Sequence, residues 1–91
     1  MALRRRLRVP SDLVGFISHL PPTVKQKVRN GLDAIVEDPH EGKPLRAELT
    51  GLWSLRVGRF RIIYRIEEPF LEIVAVGPRG TIYQEVGRQL A

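Results

Sequence analysis

The chain has 91 residues, 43% of them apolar and 27% charged, with no cysteine and a formal net charge of +5. Folding at this size buries roughly 60–65% of the unfolded chain's surface, which predicts one domain over residues 1–91 with a modest core. Repeat arrays and large cofactor-binding folds are excluded by length, and disulfide scaffolds and Cys-based zinc sites by the missing cysteines. No apolar run approaches the ~18 residues of a membrane span. The basic start Met1–Arg6 has no apolar stretch behind it, so no secretory signal is read and a cytoplasmic protein without membrane contact is expected. Of the fifteen basic residues twelve are Arg, the side chain that forks onto phosphate and stacks on bases. An anionic partner, nucleic acid or an acidic protein segment, is set against the plainer reading of a basic, soluble surface.

The first element, Leu3 to Val9, is basic and partly alternating. It reads as an edge strand with Leu7 and Val9 inward, or as a frayed tail over residues 1–6. Ser11 reads as the N-cap of a first helix with Asp12 in its first turn, and Leu13, Phe16, Ile17 and Leu20 follow at helical spacing. Pro21-Pro22 ends that helix and starts the next. Val24, Val28, Leu32, Ile35 and Val36 make one apolar stripe, closed before Pro39. His40 to Pro44 reads as a loop.

The second half changes period. Trp53, Leu55 and Val57 alternate with Ser54 and Arg56, and Phe60, Ile62, Tyr64 and Ile66 alternate with Arg61, Ile63 and Arg65, which predicts two strands. Gly58-Arg59 between them fits a two-residue type II′ loop. Phe70 to Val76 is nearly all apolar and reads as a strand covered on both faces. Thr81 to Leu90 is a closing element, strand or helix. The order predicts an α+β fold, an N-terminal strand and a helical hairpin packed on a mostly antiparallel sheet.

With a two-residue loop, Val57 opposes Phe60 and Arg56 opposes Arg61. Both arginines then share the face opposite Trp53, Phe60 and Ile62. Like charges directly across a ladder cost about 0.2–1 kcal/mol. Arg65 lies further along, Arg79 follows the next strand, and Tyr83 is close behind. Such a cluster suits a phosphate or carboxylate, or it merely solvates a sheet face. Lys43 and Arg46 flank the sheet's start as peripheral phosphate contacts or loop charges. His19 and His40 lack ligand spacing, so neither a metal site nor a cofactor is expected. Trp53 reads as packing.

The run Leu49-Thr50-Gly51-Leu52-Trp53-Ser54-Leu55-Arg56-Val57-Gly58-Arg59-Phe60-Arg61-Ile62-Ile63-Tyr64, followed by Val76-Gly77-Pro78-Arg79-Gly80-Thr81-Ile82-Tyr83, resembles the RelE/ParE family of toxins from bacterial and archaeal toxin–antitoxin pairs. The resemblance covers roughly residues 43–83 and implies a RelE-like, microbial-ribonuclease-like fold. It has two branches: RelE-like members cut mRNA in the ribosomal A site, and ParE-like members poison DNA gyrase. The ending Arg79 to Tyr83 favours the RelE branch.

That resemblance implies a metal-independent endoribonuclease in which the RNA 2′-OH attacks the adjacent phosphorus. Arg61 matches the residue that stabilises the scissile phosphate. Arg56 matches a basic residue that binds phosphate or assists deprotonation. Arg79 matches the group that stabilises or protonates the leaving oxygen, and Tyr83 the tyrosine that orients or stacks the base or moves a proton. Lys43, Arg46 and Arg65, read from their place beside the cluster, are the expected RNA contacts. Two departures stand out: Ser54 replaces a frequent Lys or Arg, and Pro78 replaces a frequent His or Lys. With no histidine near the cluster, the site lacks a group whose ordinary pKa is near 7, and the free protein is expected to be a weak nuclease. The implied partners are a cognate antitoxin, whose acidic or amphipathic segment covers the basic face or displaces Thr81–Leu90, and mRNA on the ribosome. A gyrase inhibitor and a non-catalytic antitoxin- or nucleic-acid-binding relative are the alternatives.

Overall fold

The structure, a computed structural model, describes residues 5–90. The elements are β1 (Arg6–Arg8), α1 (Ser11–Ser18), α2 (Pro22–Glu37), β2 (Lys43–Pro44), β3 (Leu52–Val57), β4 (Phe60–Glu67), β5 (Phe70–Pro78) and α3 (Ile82–Leu90), with single 3-10 turns at Pro39–Glu41 and Ala47–Leu49. The sheet order is β1-β5-β4-β3-β2, and β1 alone pairs in parallel. The expected N-terminal edge strand is present, with Leu7 half-buried between exposed Arg6 and Arg8. The part of the tail reading that concerns residues 1–4 lies outside the described residues.

Helices α1 and α2 cover one sheet face. On α2, Val28 and Ile35 are fully buried, each contributing roughly 1.5–3 kcal/mol. They pack with Ile17, Ile62, Tyr64, Leu71, Ile73 and Val76. The helix lies close to the sheet because Gly31 has no side chain: a Cβ there would stand 2.5 Å from Val57 Cγ1. The start of α1 departs from expectation. Pro10 holds the cap position and, among the described residues, no side chain caps the helix, so Ser11 is its first residue rather than its N-cap. Pro22 opens α2 as expected, where its missing N–H costs nothing.

The β3–β4 register agrees with the sequence reading at both pairs it named, Val57 with Phe60 and Arg56 with Arg61, and it sets Ser54 opposite Ile63. Gly58 has φ +64° and Arg59 does not share that sign, as a type II′ turn requires. Strand β5 runs two residues past Val76, through Gly77 and Pro78, and lies between β1 and β4. The segment read as a loop contains β2, whose Lys43 and Pro44 pair with Ser54 and Trp53. A two-residue strand carries too little periodicity to be visible in sequence.

The closing element is a helix, and it lies on the opposite face from the hairpin. Ile82 and Val86, one turn apart, are buried against Leu52, Ile63 and Ala75. A second, smaller core results. It roofs one end of that face and leaves the end carrying Arg56 and Arg61 uncovered.

Candidate functional site

The uncovered end is built by strand alternation. Cross-strand partners share a face, so Lys43, Ser54 and Ile63 form one row and Arg56, Arg61 and Gly77 the next. Gly77 carries no side chain into that row, and a Cβ there would meet Ile82 Cδ1 at 2.9 Å. The glycine thereby seats the first turn of α3 against the strand and brings Tyr83 to the row's end. Arg79 is tied in through its backbone, its N–H donating to the Arg59 carbonyl at 3.0 Å. The result is a cleft of about 370 Å³ lined by Glu41, Gly42, Lys43, Ser54, Leu55, Arg56, Arg61 and Arg79.

The near wall is anchored from beneath. The Tyr64 hydroxyl, fully buried, donates to the Pro39 carbonyl, which holds the turn before Lys43 against β4. Burial pushes this phenol up to about 12, with the negative charges of Asp38 and Glu41 adding to the effect and a backbone hydrogen bond from Gly42 opposing it. Gly42 has no room for a larger residue: a Cβ would lie 2.5 Å from Tyr64 Oη and 2.8 Å from the Ser54 carbonyl oxygen.

At the centre, Arg61 Nη1 donates to Ser54 Oγ at 3.3 Å, and Ser54 Oγ stands 3.0 Å from Tyr83 Oη. The Arg61 guanidinium carbon lies 5.9 Å from the Tyr83 ring centre. Arg61 Nε is buried and, among the described residues, has no hydrogen-bond partner. A buried N–H without an acceptor is costly, and an anion in the cleft would supply one. Glu41 is the one acidic lining residue, and none of the cleft's cations lies within 4.0 Å of a carboxylate among the described residues.

Of the seven residues singled out in sequence, five meet here: Lys43, Arg56, Arg61 and Arg79 line the cleft and Tyr83 adjoins it. Two do not. Arg65 is drawn to Glu72 at 3.0 Å and Glu67 at 3.7 Å, away from the cleft. Arg46 is exposed at the start of the second 3-10 turn and does not line it. Trp53 faces the helices, its ring 5.1 Å from His40. Sequence reasoning missed Glu41 and Gly42. It also treated Ser54 only as a lost cation, although period-two alternation from Arg56 already placed the hydroxyl on this face. Among the described residues no cluster of His, Cys, Asp or Glu fit for a metal ion exists, and no helix is long and apolar enough to cross a membrane.

Residues 5–83 match the family described as ParE toxin of type II toxin-antitoxin system, parDE. Two Mycobacterium tuberculosis proteins are similar: Toxin RelG, 44% identical over 45 residues (47% of this chain and 52% of that toxin), and Toxin RelE, 38% identical over 53 residues (55% of each). The chain thus spans about half the length of the curated relatives it matches. Among solved structures, the toxin–antitoxin complex RelBE2 of M. tuberculosis contains a chain with a TM-score of 0.72 and 30% identity, the match covering 84% of this chain and 99% of that one.

Proposed function

This chain belongs to the RelE/ParE family of toxins of type II toxin–antitoxin systems, and from that premise we propose that it is a ribosome-dependent mRNA endoribonuclease working in the cytoplasm. The observation that carries the proposal is the convergence of Lys43, Arg56, Arg61 and Arg79 on one cleft around an Arg61 Nε that has no partner among the described residues.

In the proposed reaction the RNA 2′-oxygen bonds to the adjacent phosphorus as its proton passes to water, and the P–O5′ bond breaks, the departing 5′-oxygen taking a proton from water. The products are a 2′,3′-cyclic phosphate and a 5′-hydroxyl. The pentavalent phosphate gathers negative charge, which fixed cations stabilise without reorganising. Arg61 holds that phosphate, Arg56 and Lys43 sit on its approach, and Arg79 faces the leaving oxygen. Arginine does not exchange protons near neutral pH, so placement of the RNA by the ribosome supplies much of the rate. The inhibitory partner is a cognate antitoxin, whose acidic segment covers the cleft or displaces α3.

Primer extension on an mRNA translated in a cell-free system tests this. In-frame cuts that need ribosomes and vanish with Arg61→Ala and Arg79→Ala are expected. Undiminished translation with no cuts rejects it. The ParE description of the matched family favours a second reading, gyrase inhibition, for which a supercoiling assay is the next test.

A further inference from the structure

Ser54 is 2% exposed and sits between two functional side chains, Arg61 and Tyr83. A guanidinium only donates, so the bond from Arg61 Nη1 occupies one lone pair of Ser54 Oγ. The serine proton then needs an acceptor away from solvent. Among the described residues, the other polar atom bonded to Ser54 Oγ is Tyr83 Oη at 3.0 Å. If the tyrosine donated instead, Oγ would accept twice and leave its own proton buried without a partner.

We infer that Ser54 is a positioning residue that sets the direction of a hydrogen-bond chain, Arg61 to Ser54 to Tyr83, and so fixes Tyr83 as a donor toward the cleft. This rests on the reading that the cleft binds a scissile phosphate. The Tyr83 oxygen accepts from Ser54, and its own proton is left to meet an incoming phosphoryl oxygen. Donation along the chain polarises each hydroxyl in the same sense, which strengthens the last donor. Tyr83 thus adds a directed hydrogen bond beside the arginines rather than acting as a base. The substitution of serine for a cation at this position exchanges one phosphate contact for control over another.

The chain's direction can be read without any activity. Raman spectra of the wild type minus Tyr83→Phe isolate the Tyr83 Fermi doublet, whose intensity ratio separates an accepting phenol from a donating one. The wild type is expected to show the ratio of a phenol that accepts as well as donates, its proton being taken by water in the empty cleft, with a fall toward the donor-only ratio in Ser54→Ala and recovery in Ser54→Thr. A donor-only ratio in the wild type overturns the inference, whether or not Ser54→Ala folds. Cleavage in the ribosomal assay gives the second arm. Ser54→Ala should lower kcat about tenfold or more with KM little changed, and Ser54→Thr should recover most of it. An unaltered kcat overturns the role in positioning. A wild type that cuts nothing removes the nuclease reading alone, because the Raman result still decides the direction of the chain.

Discussion

Arg56 and Arg61 stand directly opposite each other across the β3–β4 hairpin, on the same face, and among the described residues no carboxylate pairs with either. A structural role would call for opposite charges at such a position. Two like charges held together by the ladder instead store a small repulsion that an anion relieves.

Removing one of the pair should therefore stabilise the fold while weakening the site. Arg56→Thr is expected to gain about 0.2–1 kcal/mol, the usual cost of opposed like charges in a ladder. Urea unfolding at low salt measures this. A loss of stability would show that the pair is not repulsive in the free protein.

The same repulsion predicts that inorganic phosphate raises the melting temperature. A ligand at 100 times its Kd adds about 2.7 kcal/mol when it binds only the folded state. Arg61→Gln should abolish most of that gain, because Arg61 supplies the Nε that has no partner among the described residues. Melting curves across a phosphate titration, at constant ionic strength, separate binding from screening.

Two glycines in helices should respond to alanine with opposite signs. At Gly31 a Cβ would stand 2.5 Å from Val57 Cγ1 and 3.0 Å from Ile62 Cδ1. The overpacking cost of about 1–3 kcal/mol exceeds the roughly 1 kcal/mol of helix propensity gained, so Gly31→Ala destabilises. A Cβ at Gly87 would meet nothing within 4 Å among the described residues beyond its own helix backbone and chain neighbours, and Gly87→Ala should stabilise by about 0.5–1 kcal/mol. Thermal denaturation of both variants checks the contrast.

Tyr64 predicts an alkaline limb in the stability curve. Its folded pKa of about 12 exceeds the ordinary 10.0. Below pH 10 both states keep the proton and the contribution is complete. Between about 10 and 12 only the unfolded state loses it, so stability falls with rising pH, by roughly 2–3 kcal/mol across the window. Tyr64→Phe should be weaker at neutral pH, having lost the bond to Pro39, yet flatter above pH 10. Denaturant titrations of both proteins over that range measure the difference.

The strands around Gly58 were legible because a two-residue turn with glycine first ties register to loop length, and alternation then fixes which residues share a face. The Arg56–Arg61 pairing followed from that alone. The closing helix was not legible. Ile82 and Val86 give only one turn of apolar spacing, and the face they cover is defined by strands elsewhere in the chain. Arg65 looked equivalent to Arg61 by alternation, but its neighbours across the ladder decide its fate, and Glu72 lies on β5. Glu41 and Gly42 reach the cleft through β2, an element too short to announce itself. Ser54 was visible as a position but not as a link, since its role depends on Tyr83 arriving from α3.

The parallel pairing of β1 with β5 has a kinetic meaning. Arg6 meets Phe70, so β1 can pair only once β5, far along the chain, has been made. The helical hairpin and the β3–β4–β5 meander, built on nearer neighbours, close quickly, whereas this contact bears the loop entropy of most of the chain. During that wait the outer edge of β5 is an open template for another strand. The interval before β1 docks, rather than the finished fold, is where copies of the chain are most exposed to mispairing.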